Sequence, residues 1–185
     1  MTDRPFYHDG MREWQDRFDG RRIADALEKH RIRHDFWDAD RELIESTPFF
    51  FIATSFGEYT DCSLKSGVPG FVKIVAPGTI EYPEYDGNSM YRTIGNIARN
   101  PNVGVLFVKF DGKTLRVRAN GHATIHDDAE TLSRHHGAKL VVRIVLQMYS
   151  NCVRSVHDLS TETISPYMPK PDYDPPAPEW KSRDY

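Results

Sequence analysis

Short turns between strand-length apolar segments constrain this chain more than any other feature. Residues 49–54 (FFFIAT) are followed after a turn at Gly57 by the alternating segment 59–65. Residues 71–75 are followed across Pro77-Gly78 by 79–82, and 103–110 across Asp111-Gly112 by 114–125. In the last of these Leu115, Val117 and Ala119 alternate with Arg116, Arg118 and Asn120, and a long strand over 139–149 ends the series. Parallel neighbours need a crossover of about a dozen residues, so connections this short dictate antiparallel pairing. The unbroken apolarity of 49–54 predicts a central strand buried on both faces. Six or so antiparallel strands with few helices point to a mainly β fold, a six-stranded closed or nearly closed barrel, because closure removes exposed edges.

Helical signals flank this body. Met11, Trp14, Phe18, Ile23, Ala24 and Leu27 recur at helical spacing, and Gly20 divides them into two short amphipathic helices. Asp38 is the expected N-cap of a brief helix over 39–44 that Pro48 ends. A helix over 89–99, capped by Asn88 or Ser89, stops before Asn100-Pro101, and a short one follows near 129–135. Six prolines between 165 and 185, interspersed with Tyr167, Tyr173 and Trp180, exclude a helix or central strand there. The aromatics favour an arm docked on the body or on a partner over a loose linker. The expected organisation is a single domain, with a helical arm over 1–48, a barrel over 49–150 and an extended arm over 151–185.

A chain of 185 residues, 39% hydrophobic and 28% charged, has the length and composition for one soluble globular domain. No apolar run approaches the ~20 residues that cross a bilayer, and the first twenty residues mix both signs of charge, so a cytoplasmic protein is expected. A net charge of −3 argues against non-specific binding to nucleic acid or an anionic membrane. The expected partners are a small molecule and a second copy of the chain. Cys62 and Cys152 are read as reduced thiols. His122 and His126, four apart on a strand, lie roughly 13 Å from each other and cannot share an ion, so no metal is expected.

The chemistry concentrates between residues 60 and 101. There Ser63, Lys65, Lys73, Asn88, Ser89, Tyr91 and Arg92 fall where strand ends meet the predicted helix. A phosphate monoester wants several strong donors. Lys73, Arg92 and the hydroxyls of Ser63 and Ser89 are of that kind, and a helix N-terminus adds free N–H groups. Any one of these cations alone is more simply solvated surface; their joint placement is what suggests an anion. The intervening residues are mainly aliphatic and aromatic, so the phosphate would belong to a ligand with a large apolar part, and a flavin nucleotide fits. Neither Gly-x-Gly-x-x-Gly nor Gly-x-x-x-x-Gly-Lys-Ser/Thr occurs, which favours a mononucleotide held by side chains. Cys152 with His157 is the one Cys/His pair worth naming; Cys152 is either a small buried residue or part of a pocket rim.

At these residues the chain resembles the FMN-binding split-barrel proteins of the pyridoxamine 5'-phosphate oxidase family, in its oxidase-like branch. The resemblance rests on residues 49–54, on Ser63 with Lys65-Ser66-Gly67, on Pro69-Gly70-Phe71-Val72-Lys73 and on Tyr85-Asp86-Gly87-Asn88. It continues through Gly95-Asn96-Ile97, Asn100-Pro101, residues 103–107, Leu115-Arg116-Val117 and Asn151-Cys152. It implies a homodimer of split β-barrels with one FMN at each end of the subunit interface. Lys73, Asn88, Ser89 and Arg92 would hold the phosphate, with Ser63 and Lys65 on the flavin side. Tyr91 and Thr93 compete for the same role, and Asn96 and Cys152 complete the cofactor-binding set. The resemblance names no catalytic residue. Authentic oxidases carry a C-terminal Arg-x-His-Asp-Arg pattern, whereas this chain has Ser155-Val156-His157-Asp158-Leu159 and lacks both arginines. The expectation is therefore an FMN-dependent oxidoreductase of unknown substrate. The alternative is a non-catalytic protein that stores or senses flavin, or binds haem or a related tetrapyrrole.

Overall fold

The computed structural model describes residues 5–85, 89–109, 115–150 and Pro176. Two helices open the chain, α1 (Asp9–Arg17) and α2 (Arg21–Arg31), separated at Gly20 as the apolar spacing predicts. A two-residue strand β1 (Ile32–Arg33) leads to α3 (Asp38–Ser46). The N-cap of α3 is Trp37 and not Asp38. The acceptor at this end is Asp40, whose carboxylate takes the Trp37 N–H at 2.9 Å and so leaves Asp38 in the first turn.

Seven longer strands follow: β2 (Phe49–Phe56), β3 (Tyr59–Ser66), β4 (Lys73–Ala76), β5 (Thr79–Glu84), β6 (Asn102–Lys109), β7 (Leu115–His126) and β8 (Leu140–Ser150). Between them lie α4 (Arg92–Ile97) and α5 (Ala129–Ser133). All pairings are antiparallel, in the order β3-β2-β6-β7-β8-β5-β4, with β1 added to the far end of β8. The strand count is thus seven plus a short eighth, where six were expected. The sheet curls without closing, since β3 and β4 end the hydrogen-bonded order. An ion pair reaches across instead: Lys65 Nζ on β3 donates to both Glu84 oxygens on β5, at 2.8 and 2.9 Å.

The core fills the concave side. Phe50 stacks on Phe71 and Phe107 and meets Tyr82 edge-on, and Ile44, Ile52, Ile80 and Ile144 close around them. On β2 Phe50, Ile52 and Thr54 are buried, while Phe49 and Phe51 are half-buried and Ala53 is exposed. Burial on both faces of this strand therefore holds for one face only. Its apolar second face belongs to the outside of the curl.

Two further boundaries differ from expectation. The third strand begins at Lys73, because Phe71 and Val72 are spent as core side chains ahead of it. The helix expected over 89–99 is six residues long. Ser89 and Tyr91 adopt left-handed φ values of 59° and 49°, so the chain turns where helix was expected and α4 starts only at Arg92. Its N-cap is Tyr91 and not Ser89. The Asp111-Gly112 turn, Asn88, Cys152 and the proline-rich arm, apart from Pro176, lie outside the described residues.

Candidate functional site

Alternation along β3 puts Asp61, Ser63 and Lys65 on its inward face, opposite Thr54, Ile52 and Phe50 of β2. The start of α4 lies against the first two of these. Asp61 accepts from Ser63 Oγ at 2.6 Å, from Arg92 Nε at 3.0 Å and from Thr93 Oγ1 at 3.2 Å. Thr93 also reaches Ser63 at 3.1 Å, and Arg92 Nη2 donates to the Thr60 carbonyl at 3.0 Å. One helical turn on, the buried Asn96 amide donates to Thr54 Oγ1 at 3.1 Å and to the Tyr59 carbonyl at 3.3 Å. These bonds pin α4 to the β2–β3 hairpin. They also hold the Asp61 carboxyl below the usual range, chiefly through the Ser63 hydroxyl, against burial, with Arg92 and Thr93 assisting.

Of the residues expected to bind a cofactor, Ser63, Arg92 and Asn96 meet around this hairpin, together with the competitor Thr93. Ser89 and Tyr91 are exposed in the turn that precedes α4. Lys65 shares the face of β3 but is committed to Glu84.

Lys73 belongs to a second cluster. It is exposed on β4 and pairs in register with Glu81 of β5. Glu81 has no exposed side-chain surface, and it accepts from Arg134 Nε at 3.1 Å, Arg143 Nη2 at 2.6 Å and His135 Nε2 at 3.3 Å. Burial alone would raise the Glu81 pKa; the hydrogen bonds from Arg134, Arg143 and His135 outweigh it and lower the value from 4.5 to about 2. The His135 pKa also lies below its ordinary value, because burial and the Lys73 charge disfavour the charged ring, although its bond to Glu81 opposes this.

A cavity of about 860 Å³ adjoins the Asp61 cluster through Thr54, Thr60 and Asp61. Small residues Ala53, Cys62 and Gly104 line it, as do His8, His34 and His122. Sequence reasoning missed Asp61 as the hub of the polar cluster. The signal was present in the alternation of Asp61, Ser63 and Lys65, which already assigns all three to one face.

Comparison with known proteins supplies the family. The sequence model described as pyridoxamine 5'-phosphate oxidase matches residues 36–160. No curated protein matches the chain. Among solved structures it is similar to a conserved hypothetical protein from Mycobacterium tuberculosis, at 20% identity over 66% of this chain and 89% of that one, with a TM-score of 0.46. It is also similar to a point variant of HupZ from Group A Streptococcus, at 18% identity over 60% and 93% of the two chains and a TM-score of 0.45. A FAD-binding protein from Mesorhizobium loti is similar at 12% identity over 62% and 92%, with a TM-score of 0.44. Since the family match spans more than half of its length, the chain belongs to the pyridoxamine 5'-phosphate oxidase family.

Proposed function

We propose that this protein binds flavin mononucleotide and acts as a flavin-dependent oxidoreductase, as a homodimer with a flavin at each end of the subunit interface. The observation that carries this reading is the convergence of Ser63, Arg92 and Thr93 on Asp61, which itself lines the cavity, in a chain of this family. The donor set suits a phosphate: one guanidinium, half exposed, and two hydroxyls that already share hydrogen bonds. The cavity would take the ring system, and its small residues leave room for a flat ligand. Bound flavin would supply hydride or electron exchange, with the protein contributing binding and orientation. Asp61 opposes a phosphate, since its negative charge engages Arg92 first.

The half-exposed apolar face of β2 supports a dimer, because a second copy would cover Phe49, Phe51 and Ala53. Oxidation of a vitamin B6 phosphate is not part of the reading, because Ser155 and Leu159 stand where the family's two substrate-gripping arginines would be. A second reading, a haem or tetrapyrrole carrier, is favoured by His8, His34 and His122 at the cavity, each able to ligate iron.

The absorbance spectrum of the purified protein, with mass identification of its ligand, separates these readings. Flavin bands, or uptake of added FMN that Arg92→Ala weakens, support the first; a Soret band that His122→Ala alters supports the second. Bleaching of bound FMN by NADH or NADPH, with reoxidation by an acceptor, distinguishes enzyme from carrier. A monomer by light scattering that still binds FMN would contradict the interface site.

A further inference from the structure

Arg33 presents a buried guanidinium with half of its hydrogen-bonding edge unused. Its side chain is 9% exposed, and β1 places it opposite Met148, two residues before β8 ends at Ser150. Nη1 is engaged, donating to the Asp40 carboxylate and, at 3.3 Å, to the Asp35 carbonyl. The guanidinium carbon lies over the Trp37 ring, 3.7 Å from its centroid. Nε and Nη2 are buried and have no hydrogen-bond partner among the described residues.

Neither nearby carboxylate bonds to this edge. Asp40 Oδ2 already takes the Trp37 N–H together with Arg33 Nη1, and Asp35 Oδ1 takes the Phe36 N–H at 2.7 Å and Arg41 Nη2 at 3.1 Å. A buried, charged donor left unpaired is costly, so such a group calls for a partner. The Nε/Nη2 edge is the fork that meets two oxygens of one carboxylate side by side. The contact with Trp37 and the bond to Asp40 hold the group in place, so the fork is positioned before any partner arrives.

We propose that the Nε/Nη2 edge of Arg33 is a carboxylate-binding site. Two sources offer that group: an acid of the chain beyond Ser150, where Asp158, Glu162, Asp172, Asp174, Glu179 and Asp184 occur, or a free carboxylic acid.

The test is side-chain NMR on the full chain, following exchange of the Arg33 Nε–H with solvent. Arg33→Lys, which keeps the charge and removes the fork, identifies the signal, and exposed Arg17 serves as the reference. A site filled from the chain gives exchange at least about tenfold slower than at Arg17, and a single acid-to-amide substitution among the six abolishes the difference. A site for a free acid gives that slowing only as sodium acetate is added, saturably, and not with sodium chloride at equal ionic strength. Exchange as fast as at Arg17 throughout overturns the proposal. So does slow exchange that neither the six substitutions nor acetate alters, because a carbonyl or trapped water then occupies the fork.

Discussion

Glu81 illustrates how strongly one side chain can bind its surroundings. Its carboxylate is wholly enclosed and saturated by two guanidiniums and an imidazole, so its proton is held off until about pH 2 in the folded state. The folded pKa lies below the unfolded one, so the stabilisation is complete above about pH 4.5 and is lost as pH falls from there towards 2. Glu81→Gln should therefore lower stability at pH 7 by on the order of 2 kcal/mol and flatten the acid limb of the denaturation curve. Urea midpoints measured between pH 7 and pH 3 check both effects. Asp61 calls for the opposite experiment. Asp61→Asn releases Arg92 and removes a charge that would repel phosphate, so FMN should bind about three- to tenfold tighter while riboflavin, which has no phosphate, is unaffected. Fluorescence titration with the two ligands compares them directly. At this scale the sequence was legible where strand alternation decides, as for the shared face of Ser63 and Lys65 on β3. It was not legible for Lys73, because a lysine on a strand gives no sign that its opposite number is a buried glutamate with two arginines of its own.

The elements follow the same physics with local exceptions. The β2–β3 hairpin was readable from its apolar run and its Gly57 turn, and the split between α1 and α2 from Gly20. Helix α4 was overestimated because its sequence suits a helix from residue 89, whereas Ser89 and Tyr91 take left-handed turns that no propensity scale announces. The turn into β5 is constrained more tightly. Gly78 has φ of 61°, and a Cβ there would stand 2.2 Å from the His34 carbonyl oxygen. Gly78→Ala should cost about 1–3 kcal/mol from backbone strain alone, with the collision in addition. A drop of several degrees in Tm by calorimetry is the expected reading, and an unchanged Tm would mean that His34 yields freely.

For the molecule as a whole, the mainly β, antiparallel split-barrel class was legible in the sequence, whereas the strand number and full closure were not. Edge-free barrels are favoured because free edges are a liability, yet here β3 and β4 stay unzipped and the Lys65–Glu84 pair spans the seam. Both side chains are largely buried, at 15% and 18% exposure, so the pair is screened less than a surface pair. A double-mutant cycle with Lys65→Met and Glu84→Gln should give a coupling of about 1–2 kcal/mol that survives 0.5 M salt, measured by denaturant unfolding. A coupling near zero would leave the seam held by apolar contacts alone. The open curl also leaves a practical opening for chemistry. Cys62 is an exposed free thiol at the rim of the cavity, next in sequence to Asp61. In a Cys152→Ser background, its rate of alkylation by a maleimide dye becomes a clock for cavity occupancy, slowing as ligand fills the space and needing no knowledge of what that ligand is.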